Sequence, residues 1–144
     1  MENRSSIGHV RQVPALTLEA AKAMAKAGEA YAIRQDWTVA IAVVDASGGL
    51  LLFHCLDDTQ SGSQEIAVQK ARTAARLKRP TKALEDAIAG GRIGILSLEG
   101  MVAMEGGVPI EVAGRVVGGI GVSGMASPQD AEVAKAGLDV FVSA

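Results

Sequence analysis

Three polar residues in this chain have apolar or glycine neighbours that make them candidates for chemistry. His54 follows a run of apolar residues, Lys70 lies in an alanine-rich segment, and Glu105 directly precedes a pair of glycines. An imidazole can ligate a metal, a poorly solvated ammonium attracts an anion, and a carboxylate in a cleft can move a proton. These residue types predict that the chain binds a small anionic molecule.

The strand pattern around His54 predicts which way its ring points. Alternate residues of a strand share a face, so His54 is expected on the same face as Leu50, Leu52 and Leu56. A neutral imidazole there could ligate a metal through one nitrogen while an acceptor holds the other. The alternative is a core or interface histidine with satisfied hydrogen bonds. Cys55 is expected on the opposite face, where a lone free cysteine most often acts as a small hydrophobic residue.

The segment after Gln60 has the periodicity of a helix, and Lys70 falls in the middle of its apolar face. That face consists of Ser63, Ile66, Ala67, Ala74 and Leu77. A buried ammonium without a partner is costly, so Lys70 is expected to meet a negative charge. The charge belongs either to a ligand, such as a small carboxylate, or to an internal partner, Glu105 or Asp45.

The glycines after Glu105 predict a place where a ligand approaches the backbone. Gly106 and Gly107 carry no side chain, and a neighbouring carboxylate could act as a general base if burial raised its pKa. With Lys70 holding a substrate carboxylate, Glu105 and Lys70 would form the catalytic pair of a cofactor-independent isomerase or lyase. The alternative for Glu105 is an exposed charge at a strand end.

The elements that position these residues alternate between helices and hairpins. Helices are predicted over 18–32, 61–77, 82–89 and 128–142, and strands over 38–45, 50–56, 101–105, 108–112 and 116–122. Five strands in hairpins, with helices before, between and after them, predict an α/β/α sandwich with a mostly antiparallel sheet. Residues 1–15 are expected to form an irregular arm, and residues 16–144 a single domain.

The last predicted strand carries three glycines, Gly118, Gly119 and Gly121, which are expected to leave one of its faces almost without side chains. Such a strand predicts either a closely packed helix or a shelf for a flat ligand. Asp130, in the first turn of the closing helix, is expected to cap that helix.

Composition narrows the functional classes. The 144 residues carry a net charge of −2 and are 49% hydrophobic but only 3% aromatic, which is typical of a soluble globular protein and argues against nucleic-acid binding. No apolar run approaches the ~20 residues that span a bilayer, and the chain start lacks a signal-peptide pattern. With a single cysteine, the sequence predicts a cytoplasmic protein without membrane contact.

Several segments taken together resemble a known family. They are LTLEAAKAMAKAGEAYA, AIAVVDASGGLLLFH, Lys70-Ala71, GGVPI at Gly106 to Ile110, and GGIGVSGMASPQDAEVAKAG. Over roughly Leu16 to Phe141 the chain is similar to the GlcG/HbpS haem-binding-like family, which includes the C-terminal domain of PduO-type cobalamin adenosyltransferases. It departs from the family in carrying Cys55-Leu56 where members often have Arg-Met, and in lacking the E-x-x-E pair linked to iron in the secreted branch.

The resemblance implies a profilin-like α/β/α fold, assembly into homo-oligomers, and binding of haem or a related planar carboxylated ligand in an accessory or catabolic role. In this hypothesis Lys70 meets the carboxylates of the ligand, and His54 is the candidate iron ligand. The remaining ligand contacts would come from Glu105, Gly106, Gly107 and Pro109.

Overall fold

A computed structural model of the protein describes residues 8–142. The helices are α1 (Leu18–Arg34), α2 (Gly62–Leu77), α3 (Thr81–Ala89) and α4 (Ser127–Val142), and the strands are β1 (Ala40–Asp45), β2 (Leu50–Cys55), β3 (Gly107–Val112) and β4 (Arg115–Ser123). A short 3-10 helix spans Ile93–Ser97. Of the predicted arm, residues 8–15 contain neither helix nor strand, and the first seven residues lie outside the described range.

The strands form one antiparallel sheet in the order β2-β1-β4-β3. Helices α1 and α4 pack against each other and cover one face, while α2 covers the other face and contacts α3. The predicted mixed fold with an antiparallel sheet is confirmed, but the sheet has four strands in place of the predicted five. No helix among residues 8–142 is long and apolar enough to cross a membrane.

The prediction of a strand over residues 101–105 is wrong. In this segment the backbone N–H of Val102 donates to Thr73 Oγ1 at 3.0 Å, and that of Glu105 donates to Glu85 Oε1 at 3.3 Å. Helix side chains therefore satisfy backbone groups that a strand would pair with its neighbour. Gly106 follows with a φ of +132°, which turns the chain into β3.

The glycines of β4 allow α2 to lie very close to the sheet. A methyl group on Gly119 would meet the backbone of Ala71, and one on Gly121 would meet the backbones of Ala67 and Ala71. Of the two predicted explanations, the closely packed helix is therefore the one that the structure shows. Gly119 and Gly121 leave the face under α2 without side chains at their positions, whereas Gly118 faces the other side of the sheet, because neighbouring strand residues alternate.

The two faces of the sheet carry different cores. Small residues dominate under α2: Ala40, Ala42, Val44, Ala67, Ala71 and Ala75. Larger aliphatic side chains, among them Met24, Ile41 and Ile120, fill the layer beneath α1 and α4. The lysine and the histidine singled out above belong to different layers, since Lys70 lies on α2 and His54 lies on β2 in register with Ile41.

Candidate functional site

Lys70 is fully buried between α2 and the sheet, at 0% exposure. Its Nζ donates to the carbonyl oxygen of Val122 at 2.9 Å and to Asp130 Oδ2 at 3.2 Å. Of the two alternatives for this ammonium, the internal partner therefore describes the structure. That partner is Asp130, and neither Glu105 nor Asp45 takes this place.

Asp130 has two roles at the start of α4. Its Oδ1 accepts a hydrogen bond from the backbone N–H of Met125 at 2.9 Å, in agreement with the expected cap, while its Oδ2 accepts from Lys70. Burial raises the pKa of the Asp130 carboxyl, and the hydrogen bond from Met125 and the charge of Lys70 oppose that rise. Sequence reasoning missed the second role. One sequence feature could have indicated this role: Asp130 comes shortly after β4, the strand whose glycines predict a closely packed helix.

The glycine pair before β3 closes over Lys70. A methyl group on Gly106 would lie 2.7 Å from Lys70 Nζ, and one on Gly107 would lie 2.9 Å from the Cγ2 atom of Thr81. The hydroxyl of Thr81 accepts from the N–H of Gly107 at 2.9 Å and donates to its carbonyl at 3.3 Å. The structure thus brings Lys70, Gly106 and Gly107 together as the hypothesis requires, but protein atoms fill the space between them.

Glu105 and Pro109 lie on either side of this glycine pair. Glu105 is half-buried, and Pro109 lines a cavity of about 360 Å³ with Val108 and Leu138. Neither Lys70 nor Glu105 lines any of the four main cavities among residues 8–142. The catalytic pair Lys70 and Glu105 therefore stays a prediction.

His54 has one buried ring nitrogen, which faces a carboxylate of α1. Its Nδ1 is buried and makes no hydrogen bond with the described residues, yet it lies 3.6 Å from Glu29 Oε1 on α1. The side chain as a whole keeps 35% exposure, so the exposed part of the ring lies away from Nδ1. This arrangement leaves Nε2 as the ring nitrogen for an external partner.

Cys55 lies on the face opposite to His54, as expected. Its Sγ accepts from Gln64 Nε2 of α2 at 3.6 Å. Leu52 and Leu56 pack into the same layer as His54, which confirms two of its three predicted neighbours.

The third predicted neighbour, Leu50, is placed wrongly by simple alternation. Leu52 pairs with Val43 and Leu50 pairs with Val44, so the register shifts between these pairs and leaves an extra residue in β2. Such a bulge reverses the side to which earlier residues point. Leu50 accordingly lines a cavity of about 590 Å³ against α2, together with Phe53.

One flank of α1 extends the surroundings of His54. Lys22, Lys26, Glu29 and Ile33 recur at intervals of three and four, so they lie on one side of the helix. Because Glu29 contacts His54, this flank is the one next to β2. Both lysines are exposed, and Ile33 is 62% exposed.

His54 and Glu29 have the donor chemistry of a haem ligand. Residues 8–142 contain no group of three or more His, Cys, Asp or Glu side chains that could hold an ion. A haem needs only an axial ligand from the protein, and a histidine whose second nitrogen faces a carboxylate is a common one. His54 backed by Glu29 meets that requirement.

Comparison with known proteins identifies the family. The family described as "Haem degrading protein HbpS-like" matches residues 16–139. The chain belongs to this HbpS-like family. It is 40% identical to Protein GlcG of Escherichia coli strain K12 over 108 residues, which are 75% of this chain and 81% of GlcG. The resemblance noted in the sequence is thereby confirmed.

Two solved structures have the same fold as this chain. The crystal structure of HbpS superposes with a TM-score of 0.88 at 33% identity, covering 98% of this chain and 99% of HbpS. A crystal structure of a PduOC:heme complex superposes with a TM-score of 0.80 at 27% identity, covering 88% of this chain and 95% of PduOC.

Proposed function

We propose that this protein binds haem, or a related planar carboxylated ligand, with His54 as the axial ligand of the iron. The observation that carries the proposal is the buried Nδ1 of His54, which has no hydrogen bond with residues 8–142 and faces Glu29 at 3.6 Å. The similarity to PduOC, whose structure is a haem complex, supports it.

Glu29 would orient and strengthen the ligand. A ligating histidine generally donates its other N–H to a carboxylate or carbonyl, which fixes the tautomer and raises the basicity of the ligating nitrogen. With a haem bound, Nδ1 would carry the proton toward Glu29, and Nε2 would be the nitrogen left to hold the iron. A bound haem would supply redox chemistry at that iron.

The flank of α1 offers partners for the rest of a porphyrin. At about 1.5 Å per residue, Lys26 and Lys22 lie about 4.5 and 10.5 Å along the helix axis from Glu29. Two exposed ammonium groups can meet the two propionates, and the exposed Ile33 offers apolar contact. The sequence predicted that Lys70 meets the carboxylates of the ligand, but Lys70 is fully enclosed by protein in this structure.

A second copy of the chain would complete the site. His54 lines none of the four main cavities among residues 8–142, and it lies on β2, an edge strand of the sheet. A porphyrin at His54 therefore needs a further wall from outside residues 8–142, and a second copy can supply it. The homo-oligomer and the accessory or catabolic role implied by the family resemblance, and the cytoplasmic location predicted from the sequence, are parts of this proposal.

Titration of the purified protein with haemin tests the proposal. Wild type should give a saturable shift of the Soret band near one haem per chain, and His54→Ala should lose the histidine-ligated spectrum. His9→Ala is the matched control, because His9 is the only other histidine and lies outside the elements. Glu29→Gln should keep binding but change the spectrum and weaken affinity by about 10-fold or more.

Two results would count against the proposal in different ways. No saturable shift in wild type would remove haem binding altogether. An unchanged spectrum in His54→Ala would keep haem binding but reject His54, and loss of that spectrum in Cys55→Ser would then assign the ligand to the other face of β2.

A further inference from the structure

A second cavity, of about 650 Å³, lies at the opposite end of the sheet from His54. It is formed by the segment before α1, the end of α2 and the turn between β3 and β4. Three basic side chains, Arg11, Lys78 and Arg115, line it together with one acid, Glu111. Its volume falls in the range of about 300–1,000 Å³ that small-molecule sites occupy.

The three cationic side chains of this cavity have no hydrogen-bond or ion-pair partner in the described part of the protein. Arg11, Lys78 and Arg115 form no hydrogen bond or ion pair through their side chains with any residue from 8 to 142, and all three are exposed. Arg72 and Arg76, which lie on the helix that Lys78 ends, differ, since they donate to the carbonyl oxygens of Gly48 and Ser47. The cavity therefore gathers positive charge that no internal partner neutralises.

The net charge at the cavity is positive even after the nearby negative charges are counted. Three cations and Glu111 leave two net positive charges, and the C-terminal end of α2 contributes about half a negative charge. About one and a half positive charges remain, in a chain whose net charge is −2. Such a local excess attracts anions.

Lys78 occupies a position that suits glycine better than lysine. It ends α2 in the left-handed conformation, with a φ of +56°, and its N–H donates to the carbonyl of Ala74. Glycine is usual at this place because other residues are strained there. The side chain of Lys78 therefore lies at the cavity even though a lysine at this position destabilises the end of the helix.

We infer that this cavity binds a small oxyanion of two or more negative charges, either a polycarboxylate or a phosphate ester. Guanidinium groups bind carboxylate and phosphate oxygens with paired hydrogen bonds, and the ammonium of Lys78 adds a point charge. Glu111 would accept from a hydroxyl group of the ligand. This site is separate from the proposed haem site and does not depend on it.

Calorimetric titration at constant ionic strength tests the inference, with citrate and pyrophosphate as probes and sodium chloride as the reference. Wild type should bind at least one probe saturably at one site per chain, and the preferred probe tells carboxylate from phosphate chemistry. Arg11→Gln and Arg115→Gln should each weaken binding by about fivefold. Glu111→Gln should strengthen it by a similar factor. Arg92→Gln, which removes an exposed charge elsewhere, should change nothing.

Lys78→Gly separates a ligand role from a structural one. It should raise the midpoint of urea unfolding, because glycine tolerates the positive φ, and at the same time weaken probe binding about fivefold. The inference is overturned if neither probe binds saturably, or if Arg92→Gln weakens binding as much as Arg115→Gln does. Unchanged binding in Lys78→Gly would also overturn it.

Discussion

At the scale of single residues, the burial of Lys70 is predictable from sequence but its partner is not. The lysine lies in the middle of an apolar helix face, and the cost of an unpaired buried charge requires a negative neighbour whatever the fold. Asp130 is 60 positions away in the chain. Only the packing of α2 and α4 around β4 brings the two together, so a list of nearby acids could not identify it.

The Lys70 and Asp130 pair predicts a large effect on stability. Lys70→Met should lower the free energy of unfolding by about 3–5 kcal/mol, because it leaves the buried Asp130 without its cation. Urea unfolding at pH 7, followed by circular dichroism, measures this change. The double variant Lys70→Met with Asp130→Asn should recover part of the loss, since no buried charge is then left unpaired.

An exposed ion pair in the same protein provides the control. Lys135 and Asp139 are 3.1 Å apart on α4, with side chains 74% and 57% exposed. Lys135→Met should therefore change the free energy of unfolding by less than about 1 kcal/mol. A Lys70→Met variant no less stable than Lys135→Met would contradict the structural role of the buried pair.

At the scale of elements, local patterns predict the hairpins well and the segment before β3 poorly. The Ala113-Gly114 turn between β3 and β4 was identifiable because flanking β-formers surround a glycine-bearing corner, and both residues have positive φ. Residues 101–105 have strand-like composition, yet Thr73 and Glu85 accept hydrogen bonds from the backbone N–H groups of Val102 and Glu105. Contacts with distant helices decide such a segment, and they leave no local pattern.

The contact between α2 and β4 predicts opposite effects for two glycines. Gly121→Ala should destabilise the protein by at least about 1–3 kcal/mol, because its methyl group would overlap the backbone of Ala67 and Ala71. Gly62→Ala, in the first turn of α2, should be neutral or stabilising by up to about 1 kcal/mol, because nothing lies within 4 Å of the added methyl. Urea midpoints compare the two. Equal midpoints would show that α2 does not need a glycine at position 121 in order to pack.

At the scale of the whole molecule, the layered architecture was predictable because hairpin and helix patterns leave few ways to cover a sheet. The distribution of candidate side chains over that architecture was not. One predicted ligand site contained His54, Lys70, Gly106 and Gly107. In the structure, the sheet separates the layer of His54 from that of Lys70. His54 is in register with Ile41 and faces the layer of α1, whereas Lys70 lies on α2 on the other side of the sheet, and both placements are properties of the assembled fold.

The same layout predicts that the two proposed ligands bind independently. His54 pairs with Ile41, which pairs with Val122, and Arg115 lies seven residues before Val122 on β4. At about 3.3 Å per residue the two sites are about 23 Å apart along a strand that both core layers hold rigidly. Without a second conformation that both ligands prefer, no coupling free energy is expected. Gel-filtered protein saturated with haemin should therefore bind the preferred anionic probe with a Kd within about twofold of the haem-free value, and the thermal shifts of the two ligands should add. A change in Kd of fivefold or more on haem loading would show that the sheet transmits a change between its ends, and the independence argued from this layout would be lost.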